Sequence, residues 1–152
     1  MTQRFSTQGA KYDKDGSLAN WWTEEDYTAF RKRADRLSKW FDGFIPAEGV
    51  NYDGTGVQCE AIADMAAMKC LLTLAAGKEN FDYDAFFRQF AISQRDVETP
   101  GSINFKIRYD DHPLIYMRVN GTLAQYDDFL KFYGIQEGDG MYIAPEDRVA
   151  VW

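Results

Sequence analysis

The chain has 152 residues, enough for one domain with a core, and its 45% hydrophobic and 16% aromatic content is globular rather than disordered. A net charge of −7 without a basic block argues against nucleic acid as the main partner. No apolar run reaches membrane-spanning length and the first residues do not read as a signal peptide, so a cytoplasmic protein without a membrane partner is expected.

Residues 1–20 are polar and turn-rich and predict a loop or short hairpin ending at Trp21-Trp22. Asp13, Asp15 and Gly16 suggest a calcium loop, but the later bidentate acid is lacking, so a turn is the better reading. Thr23 is a good N-cap, followed by Glu24, Glu25 and Asp26 at the positive end of a helix dipole. Tyr27, Phe30, Ala34, Leu37 and Phe41 then follow helical spacing, and Gly43 ends the run. Residues 44–56 read as loop, with Pro46, Gly49, Gly54 and Gly56 as breakers. A second helix begins near Gln58 and stops near Ala76-Gly77.

A third helix is predicted after Asp82 or Asp84, with Phe86, Phe87, Phe90 and Ala91 on its buried side and Thr99-Pro100-Gly101 as its break. Ser102 is placed as the cap of a short helix over 103–109. Residues 114–123 are apolar and read as extended, with a helical turn as the alternative. A last helix over 125–133 is closed by Gly134, and Pro145 marks a turn in the tail. Trp21, Trp22 and Trp152 read as packing residues. The expected architecture is mainly α, one domain over 1–152, with minor β near the N-terminus and around 114–123.

Cys59 and Cys70 are three helical turns apart, about 16 Å, which is too far for a disulfide within one helix. They read as reduced core thiols. With His112 as the one histidine, a histidine-rich or cysteine-rich metal site is impossible from this chain alone. The second helix is mostly apolar yet carries Glu60 and Asp64, four apart and on one face among alanines. On pattern alone an exposed polar stripe is the favoured explanation, and His112, between Asp111 and Pro113, is a surface turn residue.

Four segments in order change that weighing. Residues 8–16 with Trp21-Trp22-Thr23, then Glu60-Ala61-Ile62-Ala63-Asp64, then Asp110-Asp111-His112 with Arg118 and Asn120-Gly121, then residues 140–149 with Trp152, together resemble the neprilysin-like zinc metallopeptidases. Each motif is weak alone; four at family spacing are specific. The resemblance implies the helical C-terminal half of a thermolysin-like (gluzincin) catalytic domain, a truncated portion of a chain several times longer. It further implies zinc as cofactor and peptides as substrates. In that family a His-Glu-x-x-His helix supplies two zinc ligands and the general base. Glu60 matches the third ligand, and Asp64 a carboxylate that orients a zinc histidine. His112 matches the histidine that stabilises the oxyanion, Asp110 the acid that holds it, and Arg118 the arginine that grips the substrate backbone.

The departures from the pattern are equally specific. Residues 1–6 align with the second half of the zinc helix and beyond, so the first histidine and the base would precede Met1. Gln3 replaces the second zinc histidine and Ser6 the aspartate behind it. Cys59 and Ala61 stand where the motif has glycine and asparagine, and Met65-Ala66-Ala67 where it has Leu-Gly-Gly. One carboxylate does not hold zinc tightly. The expectation is therefore a degenerate, non-catalytic homologue or fragment without zinc, in which Gln3, Arg4 or Arg118 neutralises Glu60 and Asp64. The alternatives are a split enzyme completed by another chain, and a small peptide-binding module or homo-oligomer that covers exposed apolar surface.

Overall fold

The computed structural model describes residues 9–44 and 52–150, and its helices begin where the sequence offers capping groups. The Thr23 side chain accepts the Asp26 N–H at 3.1 Å and donates to the Asp26 carboxylate at 2.7 Å, opening helix α1, Glu24–Asp42. Helix α2 is Gln58–Ala76 and α3 is Tyr83–Ser93, the latter capped by the Asp82 carboxylate, which accepts the Ala85 N–H. Helix α4, Pro100–Tyr109, starts earlier than expected: Thr99, not Ser102, is its cap and accepts the Ser102 N–H at 3.2 Å. Pro100 at the first helical position lacks an N–H, which would have had no partner there, so it starts a helix rather than merely breaking one.

Residues 114–123 were expected to be extended and are instead helical: α5 spans Ile115–Leu123. The break between α4 and α5 covers residues 110–114, and of the run 114–123 only Leu114 lies outside the helix. Short apolar runs do not distinguish a strand from a helix buried on more than one side, and α5 buries Met117, Val119, Gly121, Thr122 and Leu123. Helix α6, Asp127–Tyr133, ends on Gly134 in the left-handed conformation (φ 66°). Near the N-terminus the described residues contain one isolated antiparallel bridge, Tyr12 to Leu18. The Asp13 carboxylate caps the turn inside it by accepting the Asp15 and Ser17 N–H groups.

Helices α1, α2 and α5 pack against one another in all three pairs. Phe30, Ala34, Leu37 and Phe41 of α1, Ala61, Ile62 and Met65 of α2, and Met117 of α5 form the first core cluster. A Cβ at Gly121 would come within 3.2 Å of the Phe41 ring, so the glycine permits this close approach of α5 to α1. Gly54 is tighter: a Cβ there would lie 1.9 Å from the Ser38 carbonyl oxygen, and the turn before α2 rests directly on α1. A second cluster is built by Met68 and Leu72 of α2, Phe87 of α3, Val119 and Leu123 of α5, and Phe129 and Leu130 of α6.

The cysteines are not core thiols. Cys59 is half-buried, and Cys70 is exposed on the face of α2 that also presents Leu71 and Leu74 to solvent. No helix among the described residues is long and apolar enough to cross a membrane.

Candidate functional site

The first two turns of α2 and the segment entering α5 meet on one side of the first cluster. Helical spacing places Glu60 and Asp64 on one stripe. Ala61, Ile62 and Met65, on the other side of the same turns, are buried against α1 and α5, which fixes the stripe toward residues 110–118.

Asp64 is held by Arg118 in a two-pronged pair. Nε lies 2.5 Å from Oδ2 and a terminal guanidinium nitrogen 2.8 Å from Oδ1, with the side chains 15% and 20% exposed. Planar guanidinium and carboxylate match in this way, and each oxygen takes one N–H. The hydrogen bonds that the guanidinium donates to Asp64, against an opposing burial effect, push the Arg118 pKa upward and keep the guanidinium charged.

Glu60 faces the histidine. Its Oε2 lies 3.3 Å from His112 Nε2. The other ring nitrogen, Nδ1, lies 2.8 Å from Asp110 Oδ1, which also accepts the His112 backbone N–H at 2.9 Å. Each ring nitrogen is thus turned to a carboxylate. The backbone N–H of His112 is the chief reason that the Asp110 pKa lies below the ordinary carboxylate value; its ring adds to the effect and burial opposes it. His112 itself remains about half exposed, open to an approaching molecule.

The structure thus brings together Glu60, Asp64, Asp110, His112 and Arg118. Gln3, Arg4 and Ser6 lie outside the described residues. Tyr52 is the neighbour that sequence reasoning passed over. Its hydroxyl accepts the Leu114 N–H at 3.3 Å, next to the histidine turn. An aromatic beside a loop breaker gives no hint of such a long-range bond.

Zinc requires three protein ligands with a fourth position for water. Among the described residues no three His, Cys, Asp or Glu side chains are arranged to hold a metal ion. The remaining residues add one acid, Glu48, and no histidine or cysteine. Glu60 Oε2 faces an imidazole nitrogen, and Asp64 pairs with a guanidinium. A cleft of about 570 Å³ lies between the end of α3, the α3–α4 connection and α5, lined by Ile92, Ile103, Leu114, Tyr116 and Val119 with Asp96 and Glu98. None of the five site residues lines it.

Residues 1–149 match the model of peptidase family M13. The chain is 35% identical to a neutral endopeptidase of Lactobacillus helveticus, covering all of this chain and 23% of that protein. It is 31% identical to a neutral endopeptidase of Lactococcus lactis subsp. lactis, covering all of this chain and 24% of that one. Among solved structures, PepO from Lactobacillus rhamnosis HN001 superposes with a TM-score of 0.85 at 32% identity, over 98% of this chain and 24% of that one. The zinc metalloprotease Zmp1 of Mycobacterium tuberculosis, in complex with an inhibitor, gives 0.84 at 26% identity, over 97% of this chain and 25% of that one. The helical fold is that of thermolysin-like metallopeptidases, and the chain spans about a quarter of the length of the relatives it matches.

Proposed function

The chain belongs to peptidase family M13, the neprilysin family, and from that premise we propose that its 152 residues form a non-catalytic portion of the family's catalytic domain. In this reading the chain is a single domain that keeps the substrate-side residues Asp110, His112 and Arg118, holds no zinc and cleaves no peptide by itself. The observation that carries it is the contact of Glu60 Oε2 with His112 Nε2 at 3.3 Å. A zinc-ligating carboxylate presents an oxygen to the metal at about 2.0–2.2 Å. Here one oxygen of the carboxylate at the family's ligand position faces the histidine of the oxyanion position. Internal differences from the family motif, Gln3, Ser6, Ala61 and Met65-Ala66-Ala67, support the same reading and are those of a site released from its metal. The unpaired Cys59 and Cys70 support a reducing, cytoplasmic setting.

The test is metal analysis of the purified chain after zinc loading and desalting, with a peptide-cleavage assay with and without chelator. The expected result is zinc well below one per chain and no chelator-sensitive cleavage. One tightly held zinc per chain, or cleavage abolished by chelator, overturns the reading.

A second reading is favoured by the geometry of Asp110–His112 and Asp64–Arg118. Both pairs are formed, ready for substrate if a second polypeptide supplied the zinc helix. Mixing the chain with an M13 segment that carries His-Glu-x-x-His, and assaying zinc-dependent cleavage, separates this from the first reading.

A further inference from the structure

We propose that Tyr52 is a positioning residue of this site: its hydroxyl anchors the entry to α5 and so sets where His112 and Arg118 stand against Glu60 and Asp64. The inference rests on the site reading above and adds to it a residue outside the matched motifs.

Tyr52 precedes α2 by six residues and is 6% exposed within the first core cluster. Its hydroxyl accepts the Leu114 N–H at 3.3 Å, a link across 62 positions. Leu114 is the N-cap of α5 and itself offers no side-chain cap. Pro113 has no N–H, so the Leu114 group is the first backbone donor after His112. Leu114 is 4% exposed, and without Tyr52 its N–H would be buried without this partner. That donor lies two residues after His112 and four before Arg118, where a displaced backbone would move both side chains.

A packing role alone does not require the oxygen. Phenylalanine fills the same volume, and a buried hydroxyl without a bond is costly. Burial is the main reason that the Tyr52 phenol is pushed up to about 12, so the group stays neutral through the working range. Its hydrogen remains available for a second bond while its oxygen receives the amide.

His112 is the sole histidine, so its imidazole signals in an NMR spectrum need no assignment by mutation. Tyr52→Phe removes only the hydroxyl. The matched control is Tyr126→Phe, which removes another part-buried tyrosine hydroxyl, one that donates to the Met65 carbonyl. We expect folded Tyr52→Phe to shift the His112 imidazole signals and the Arg118 Nε–H signal, and to exchange the Leu114 amide about tenfold faster. The Tyr126→Phe control should leave the His112 signals in place. Unchanged His112 and Arg118 signals in folded Tyr52→Phe overturn the proposal. If that variant fails to fold, the wild-type Leu114 amide decides: exchange about tenfold slower than the exposed Asp111 amide supports the anchor, and equal exchange overturns it. Zinc analysis of the same samples decides the zinc-free reading, while these signals decide the role of Tyr52.

Discussion

The half of the molecule around Ala34, Ile62 and Met117 carries the ion pairs of the site and a buried amide between helices, whereas the half around Phe87 and Phe129 is dominated by aromatic rings. In the first, Gln58 is 1% exposed and its Nε2 donates to the Ala34 carbonyl at 2.9 Å and to Ser38 Oγ at 2.6 Å. The Asp64–Arg118 and Glu60–His112 contacts lie at its edge. In the second, rings meet rings: Phe87 sits edge-on to Phe129 at 5.2 Å and also contacts Tyr83, Phe86, Phe132 and Tyr133. Hydrogen bonds and ion pairs fix direction, whereas apolar contacts are non-directional and contribute mainly through buried area. The first half therefore holds side chains at defined angles, and the second supplies stability to the α2 and α5 that both share.

That contrast predicts separable effects. The largest belongs to Phe87→Ala, which should cost about 3–5 kcal/mol in denaturant unfolding through lost burial and a cavity. The remaining folded molecules should keep wild-type His112 imidazole signals. Altered signals would mean that the aromatic half also orients the site.

Arg118→Ala comes next. Asp64 and Arg118 are partly exposed, so the cost should fall near 2 kcal/mol, between that of surface pairs and that of fully buried ones. In a cycle with Asp64→Ala the double variant should lose less than the sum of the single variants. Strict additivity would show that the pair is not coupled.

The smallest effect is acid sensitivity through Asp110. Its folded pKa is depressed, so the stability it adds is fully present above the unfolded value, about 3.9, and is lost as pH falls through the lower folded value. Asp110→Asn removes that carboxylate, and its stability should fall less steeply than wild type below pH about 4. Parallel acid curves would assign the acid response to other carboxylates.

Much of this was legible beforehand, for identifiable reasons. Thr23 and Gly134 bound their helices by local chemistry, and the 3.6 period of Phe30, Ala34, Leu37 and Phe41 marked a single buried face. Glu60, Asp64, Asp110, His112 and Arg118 were singled out through motif spacing, and the pairing of α2 with α5 and the segment before it places them side by side. Residues 114–123 were misread because a helix buried on two sides loses the alternation that separates it from a strand. Tyr52 stayed hidden because its bond to Leu114 spans 62 positions and belongs to no local pattern. The partners of Glu60 and Asp64 were narrowed to a few cations and amides, and the packing of α5 assigns Arg118 to Asp64. His112 at Glu60 was not anticipated as a partner, because the motif gives it a different task.

Gly121 has a mechanical consequence. The Trp40 indole N–H donates to its carbonyl at 3.2 Å, and the Phe41 ring lies where its side chain would be. Helix α5 is only nine residues long, about 13 Å, and it is clamped by Trp40 at one end and by Tyr52 at the other. A short rod gripped at both ends cannot roll about its axis, and Arg118 sits between the two grips. The aim of the guanidinium is thus set by the stiffness of its mount as well as by the attraction of Asp64. Widening the Gly121 contact by a single methyl group would turn the rod and swing the arginine away from its carboxylate.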